Sequence, residues 1–235
     1  YIIHLMKNAF YTSVDRYGNA ILFRGYVNGI RKHARVKYQP TVFMPSENPS
    51  KYKNLQGRYV KPFQPGTMRD SMEFFRKYDG LANMNIFGNA NYIHQFISDH
   101  FRDNCPWDKS KVNISTIDIE VESDKGFPDP KIARMPITAI TMKNNLDNVY
   151  YVWALGNWSL KDSEVTLGEK ETIHYVKCLN EQDLLKKFLK HWVINYPDII
   201  TGWNSRLFDM TYIVNRVQRE LGERAMKTLS PWGLV

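Results

Sequence analysis

This chain has little cysteine and no long apolar run. Two thiols in 235 residues, Cys105 and Cys178, are too few for a disulfide framework, and their spacing matches no metal-binding pattern. The expectation is a pair of reduced thiols in a cytoplasmic protein. No stretch is apolar over the ~20 residues that a membrane helix needs, so a membrane partner is not expected. Internal repeats and low-complexity tracts are also missing, which excludes solenoid and disordered classes. What remains, at 43% hydrophobic and 14% aromatic, is ample for packed cores.

Acidic charge is scarce in one half only. Residues 1–107 hold 15 lysines and arginines against 7 acids, whereas residues 108–235 hold 17 of each, so the whole net charge of +8 sits in the first half. Such a region attracts a polyanion or simply solvates well, and charge alone does not choose.

The first half reads as antiparallel sheet. "AFYTSVDR", "AILFRGYV" and "HARVKYQPTVFM" form three strands, with Asn28-Gly29 suited to a tight hairpin turn. Arg31, Lys32, Arg35 and Lys37 decorate the third and are the candidate nucleic-acid contacts. Tyr26, Tyr38, Tyr52 and Tyr59 interleave with them, as stacking platforms if exposed and as core if not. "TMRDSMEFFRKYDG" predicts a helix capped by Thr67, and periodicity is lost around "RDNCPWDKSK". The boundary is therefore expected near residue 107, with domains at 1–107 and 108–235.

In the second half, four β-type runs come in succession: "NISTIDIEV", "PITAITMKN", "NVYYVWAL" and "IHYVKCL". A helix from Asn180, a short strand "DIITGW" and a final amphipathic helix "FDMTYIVNRVQREL" follow. Strands followed by helix, strand and helix predict a mixed α/β (α+β) fold with helices packed on a mixed sheet.

The run "ISTIDIEVES" stands out. Strand alternation sends Ile117, Ile119 and Val121 one way and Asp118, Glu120 and Glu122 the other. Carboxylates gathered on one face repel unless a cation lies between them, and hard oxygen donors suit Mg²⁺ or Mn²⁺. An acid-bearing solvent face is the plainer alternative. Asp209, early in the helix after "TGWNSRLF", is a second acid that could face the same strand, although acids also favour first helical turns through the helix dipole. The six histidines show no ligand spacing.

"TIDIEV" followed by "FPDP", and about eighty residues later "IITGWNSRLFDMTYIVNR", resemble the first and second exonuclease motifs of family B DNA polymerases. "YKNLQGRYVKPFQP", "NEQDLLKKFLKHW" and "LGERAMKTLSPWG" extend the likeness over nearly the whole chain, in particular to replicative polymerases of T-even-type bacteriophages. The resemblance implies a ribonuclease H-like 3′→5′ proofreading exonuclease domain behind a smaller β-rich polymerase N-terminal domain. It implies that Asp118, Glu120 and Asp209 are catalytic and hold two divalent metals, Mg²⁺ or Mn²⁺. Asn204 and Phe208 match substrate-strand contacts; Glu122 matches no role. The implied partners are a single-stranded DNA 3′ end, the template strand, RNA at the basic region, and the remaining polymerase domains in cis or in trans.

One departure matters. The family's third motif, Tyr-x-x-x-Asp, has no match after Asp209; the literal "YTSVD" at Tyr11–Asp15 lies in the wrong order. Palm, fingers and thumb are likewise unmatched. The chain is therefore expected to be an amino-terminal fragment, in host cytoplasm if phage-encoded, weak or inactive alone as a nuclease. The competing expectation is a catalytically incomplete nucleic-acid-binding module of a split or truncated polymerase.

Overall fold

A computed structural model describes residues 8–78, 80–81, 85–101, 105–123 and 126–235. The chain divides into two compact units, 1–108 and 109–235.

In the first unit, strands β1 (Ala9–Tyr17), β2 (Ala20–Val27) and β3 (Ile30–Lys37) form an antiparallel meander. The β2–β3 hairpin turns at Asn28 and Gly29, both with positive φ (52° and 76°), as its tight geometry requires. The sequence pattern predicts β3 continuing through residue 44. Instead β3 stops at Lys37, and β4 (Val42–Pro45) joins β5 (Tyr52–Lys53) and β6 (Tyr59–Phe63) in a second sheet, ordered β4-β6-β5. Pro40 stands in the gap, where it has no N–H to offer a ladder.

Helix α1 (Met68–Tyr78) begins at Thr67, whose Oγ1 accepts from the Asp70 N–H (3.3 Å) while Asp70 Oδ2 accepts from the Thr67 N–H (2.8 Å). This reciprocal pair satisfies amide groups that the first helical turn leaves free. Helix α2 (Tyr92–Phe101) is not among the elements the sequence pattern predicts. It buries Tyr92, Phe96 and Phe101 with Ile21, Phe23, Val36 and Met68.

The second unit is a five-stranded mixed sheet ordered β10-β9-β8-β7-β11. Strands β7 (Ile114–Val121), β8 (Ile137–Asn144) and β9 (Val149–Ala154) run antiparallel; β10 (Thr172–Lys177) is parallel to β9, and β11 (Ile199–Thr201) parallel to β7. Helix α3 (Glu181–Ile194) is capped by Asn180, whose side chain accepts from the Asp183 N–H at 3.0 Å. It packs with α4 (Asp209–Leu221) and the short α5 (Glu223–Lys227) over Ile117, Ile119, Ile140, Met142 and Trp153. A mixed sheet flanked by helices agrees with the expected ribonuclease H-like architecture. Cys105 is exposed and Cys178 buried, both unpaired. Among the described residues no helix is long and apolar enough to cross a membrane.

Candidate active site

Local strand geometry makes the acidic face. Ile117 and Ile119 go into the core, so Asp118 and Glu120 stand exposed on the opposite side of β7. Glu122 lies just past the strand, its N–H donating to the Pro136 carbonyl at 3.0 Å. A bulge between Glu120 and Val121 ends the regular pairing with β8 at this point.

The third acid arrives through topology. Strand β11 pairs only with Ile114–Thr116, leaving the rest of that β7 edge uncovered by strand. The chain turns at Gly202, where φ is +154° and a Cβ would lie 2.5 Å from the Ile117 carbonyl oxygen. Only glycine allows that approach. Asn204 follows with φ 55°, and its carbonyl accepts from the N–H groups of Leu207 and Phe208, each at 3.0 Å, closing the turn into α4.

Asp209 opens α4 and is 3% exposed. Its Oδ1 accepts from the Ile119 N–H at 3.2 Å, so a carboxylate stands where a neighbouring strand would otherwise supply a carbonyl. Burial raises its pKa most; the amides of Asp209 itself and Ile119 oppose the rise, and the charge of Asp118 adds to it. Asp209 thus senses the charge of Asp118, a residue 91 positions away in the chain.

Beside Asp209 stand aromatic groups, of which the motif match gives a role to Phe208 alone. Phe127 is 82% exposed, with its ring centroid 4.8 Å from that of Phe208, which in turn lies 5.6 Å from Tyr212. Trp203 is 94% exposed in the turn. Ser123, Phe127, Asp129, Ile132, Arg134 and Met135 line a cleft of about 430 Å³. Phe127 is present in the "FPDP" signature and Trp203 within the second motif, although neither is given a role there.

Hard carboxylate donors, with a buried acid pushed toward its neutral form partly by a second acid, fit a divalent cation, whose charge would restore ionisation. The fit is partial: among the described residues no three His, Cys, Asp or Glu side chains converge as a complete ligand set. Asp118 is the acid whose charge reaches Asp209, and Glu120 shares the exposed face of Asp118.

The basic candidates do not form one patch. Alternation along β3 puts Arg31, Arg35 and Lys37 on one face with His33, and Lys32 on the other with Ala34 and Val36. Arg31 lies over the Tyr26 ring (5.7 Å) and Arg35 over Tyr17 (5.9 Å). Tyr26 and Tyr38 are core residues, 7% and 6% exposed, and Tyr52 is half-buried; Tyr59 alone of the four is exposed.

Residues 85–230 match the family described as DNA polymerase family B, exonuclease domain. The chain is 34% identical over 245 residues to the DNA-directed DNA polymerase of Enterobacteria phage T4, covering 96% of this chain and 27% of that protein. It is 30% identical over 243 residues to the DNA-directed DNA polymerase of Escherichia phage RB69, covering 94% of this chain and 27% of that protein. A shorter match, 30% over 109 residues, covers 45% of this chain and 9% of the DNA polymerase delta catalytic subunit of Dictyostelium discoideum.

Proposed function

The chain belongs to the family B DNA polymerases through their exonuclease domain, and on that premise we propose that it carries the 3′→5′ proofreading site of a replicative polymerase. The observation that carries this reading is the placement of Asp209: a buried carboxylate, bonded to the Ile119 amide, whose proton affinity is raised by burial and by Asp118.

In this reading Asp118, Glu120 and Asp209 hold divalent cations, Mg²⁺ or Mn²⁺, beside the 3′ end of single-stranded DNA. When bound, such cations stabilise charge on the attacking and leaving oxygens of the phosphodiester and provide hydroxide near neutral pH. Asp209, fixed by the Ile119 amide, keeps its second oxygen aimed from a rigid helix start. Phe208 and Phe127 offer faces against which the terminal bases stack, and Asn204 turns the chain so that α4 begins beside β7. Template DNA or RNA is assigned to the face of β3 bearing Arg31, Arg35 and Lys37, with Lys32 reaching the strand only from the far side.

A second reading is favoured by the incomplete ligand set among the described residues. The chain then holds nucleic acid and completes its metal site only with a segment in cis or in trans. A single-turnover assay on end-labelled single-stranded DNA with Mn²⁺ separates the two. The nuclease reading expects EDTA-sensitive shortening from the 3′ end that drops at least about a hundredfold in Asp118→Ala, more than a weakened outer-shell contact costs. Robust shortening that survives Asp118→Ala refutes the site assignment; binding without shortening supports the second reading.

A further inference from the structure

Helix α4 bonds, through its side chains, to most of the carbonyls between Pro130 and Met135 in the segment after β7. Tyr212 Oη donates to the Met135 carbonyl (2.7 Å), and Asn215 Nδ2 to that of Pro130 (2.9 Å). Arg216 Nη1 donates to Ala133 (3.2 Å) and Arg134 (2.7 Å), and Arg219 Nη2 to Ile132 (3.0 Å). Of the carbonyls from 130 to 135, five are taken by one helix.

The donors fall at positions 212, 215, 216 and 219, the i, i+3, i+4, i+7 stripe of a single helical face. An irregular segment has no ladder of its own for these carbonyls, so the helix supplies the partners. Arg216 is 5% exposed and is held by Glu181 at 2.6 and 2.7 Å; Glu181 Oε1 also accepts from the Ile137 N–H (2.7 Å) at the start of β8. The same helix begins with Asp209, and three residues before the gripped stretch stands Phe127, which packs on Phe208.

We propose that Tyr212, Asn215, Arg216 and Arg219 are positioning residues that lock segment 130–135 to α4, so that Phe127, three residues upstream, is held against Phe208 and beside the Asp209 carboxylate at the edge of the cleft that Phe127 lines. The inference rests on the nuclease reading for what the cleft grips. Its physical core, a stitched segment whose release loosens Phe127, stands on the hydrogen bonds themselves.

The test uses the two outer donors, because Arg216 lies in a buried ion pair whose loss endangers folding. Asn215→Ala/Arg219→Ala leaves Asp118, Glu120, Asp209 and Arg216 in place. Two readouts are taken in EDTA, so that a chain inactive as a nuclease still gives a decisive result. Limited trypsinolysis with mass spectrometry follows cleavage after Lys131 and Arg134, both exposed side chains on a pinned backbone. Fluorescence anisotropy follows the Kd for a short labelled oligothymidylate.

The double variant is expected to cut at least tenfold faster at those two sites, with the other tryptic sites that both chains share unchanged. Its Kd is expected to rise roughly five- to tenfold, the factor one ordinary hydrogen bond represents. Arg219→Lys with Asn215 intact should restore most of both. With Mn²⁺, any hydrolysis should show the change in KM and not in kcat. Equal cleavage rates in parent and variant overturn the stitch. Faster cleavage with an unchanged Kd overturns the positioning role, since a merely structural contact would behave that way.

Discussion

The two units treat most of their charge in opposite ways, with Arg24 of β2, 7% exposed, the buried exception in the first. Residues 1–107 carry the entire excess of +8, and on β3 it stands mostly in water or over aromatic faces. Residues 108–235 are neutral in sum, yet they bury charge: Arg216 against Glu181, and Asp209 at the start of α4. Exposed charge costs little and acts at a distance, so the first unit suits attraction of a polyanion. Buried charge is costly unless partnered, so each buried group in the second unit marks a geometry the fold must hold.

The largest break in that contrast comes from the buried pair. Arg216→Ala leaves Glu181 without its guanidinium in a site where the two side chains are 7% and 11% exposed, and frees the Ala133 and Arg134 carbonyls. Urea denaturation should show a loss of about 3–5 kcal/mol. An equivalent change on the first unit, Lys37→Ala, should lie within about 0.5 kcal/mol of the parent.

Next comes the turn that delivers Asp209. Gly202→Ala sets a Cβ against the Ile117 carbonyl in a backbone region that only glycine occupies easily, and should cost about 1–3 kcal/mol in the same assay. Metal-dependent stabilisation, read as a shift in Tm on adding Mn²⁺, should shrink with it, because β7 and α4 move apart.

The polyanion side sharpens the comparison by its salt dependence. If Arg35 and Lys37 each contact a phosphate of a single strand, Arg35→Ala/Lys37→Ala should lower the slope of log K against log salt by about 1.4. A matching double change on the second unit, Lys161→Ala/Lys170→Ala, should leave the slope unaltered.

The smallest effect is an acid-side pH dependence set by His191 in the second unit. Burial lowers the pKa of His191, and His174 lowers it further, while Asp147 opposes; Tyr151 and Trp153 rings pack against it at 4.3 and 5.1 Å. Between the depressed folded value and the ordinary imidazole value near 6.5, the unfolded chain binds more protons than the folded one. Stability is therefore complete above about pH 6.5 and erodes as pH falls below it. His191→Gln should flatten the acid side of a plot of Tm against pH and leave the alkaline side alone.

Much of this is readable along the chain. Asn28-Gly29, Thr67 and Asn180 are local devices that act within a few residues, and each does in the structure what its type predicts. Helix α2 is not readable, because "YIHQFISDHF" is rich in aromatic and β-branched residues with poor intrinsic helix preference. Burial of Tyr92, Phe96 and Phe101 overrides that preference. The end of β3 is hidden for the opposite reason: a run of apolar and basic residues reads as one strand across Pro40, where the ladder in fact breaks.

The acids divide along the same line. Alternation in "STIDIEV" by itself determined that Asp118 and Glu120 share a face, since the strand period is a property of the backbone. Whether Asp209 met that strand was decided only by the tertiary structure, through the short reach of β11, the close turn at Gly202 and the Ile119 amide left open for a carboxylate. Electrostatic coupling falls with distance in space and is indifferent to separation along the chain.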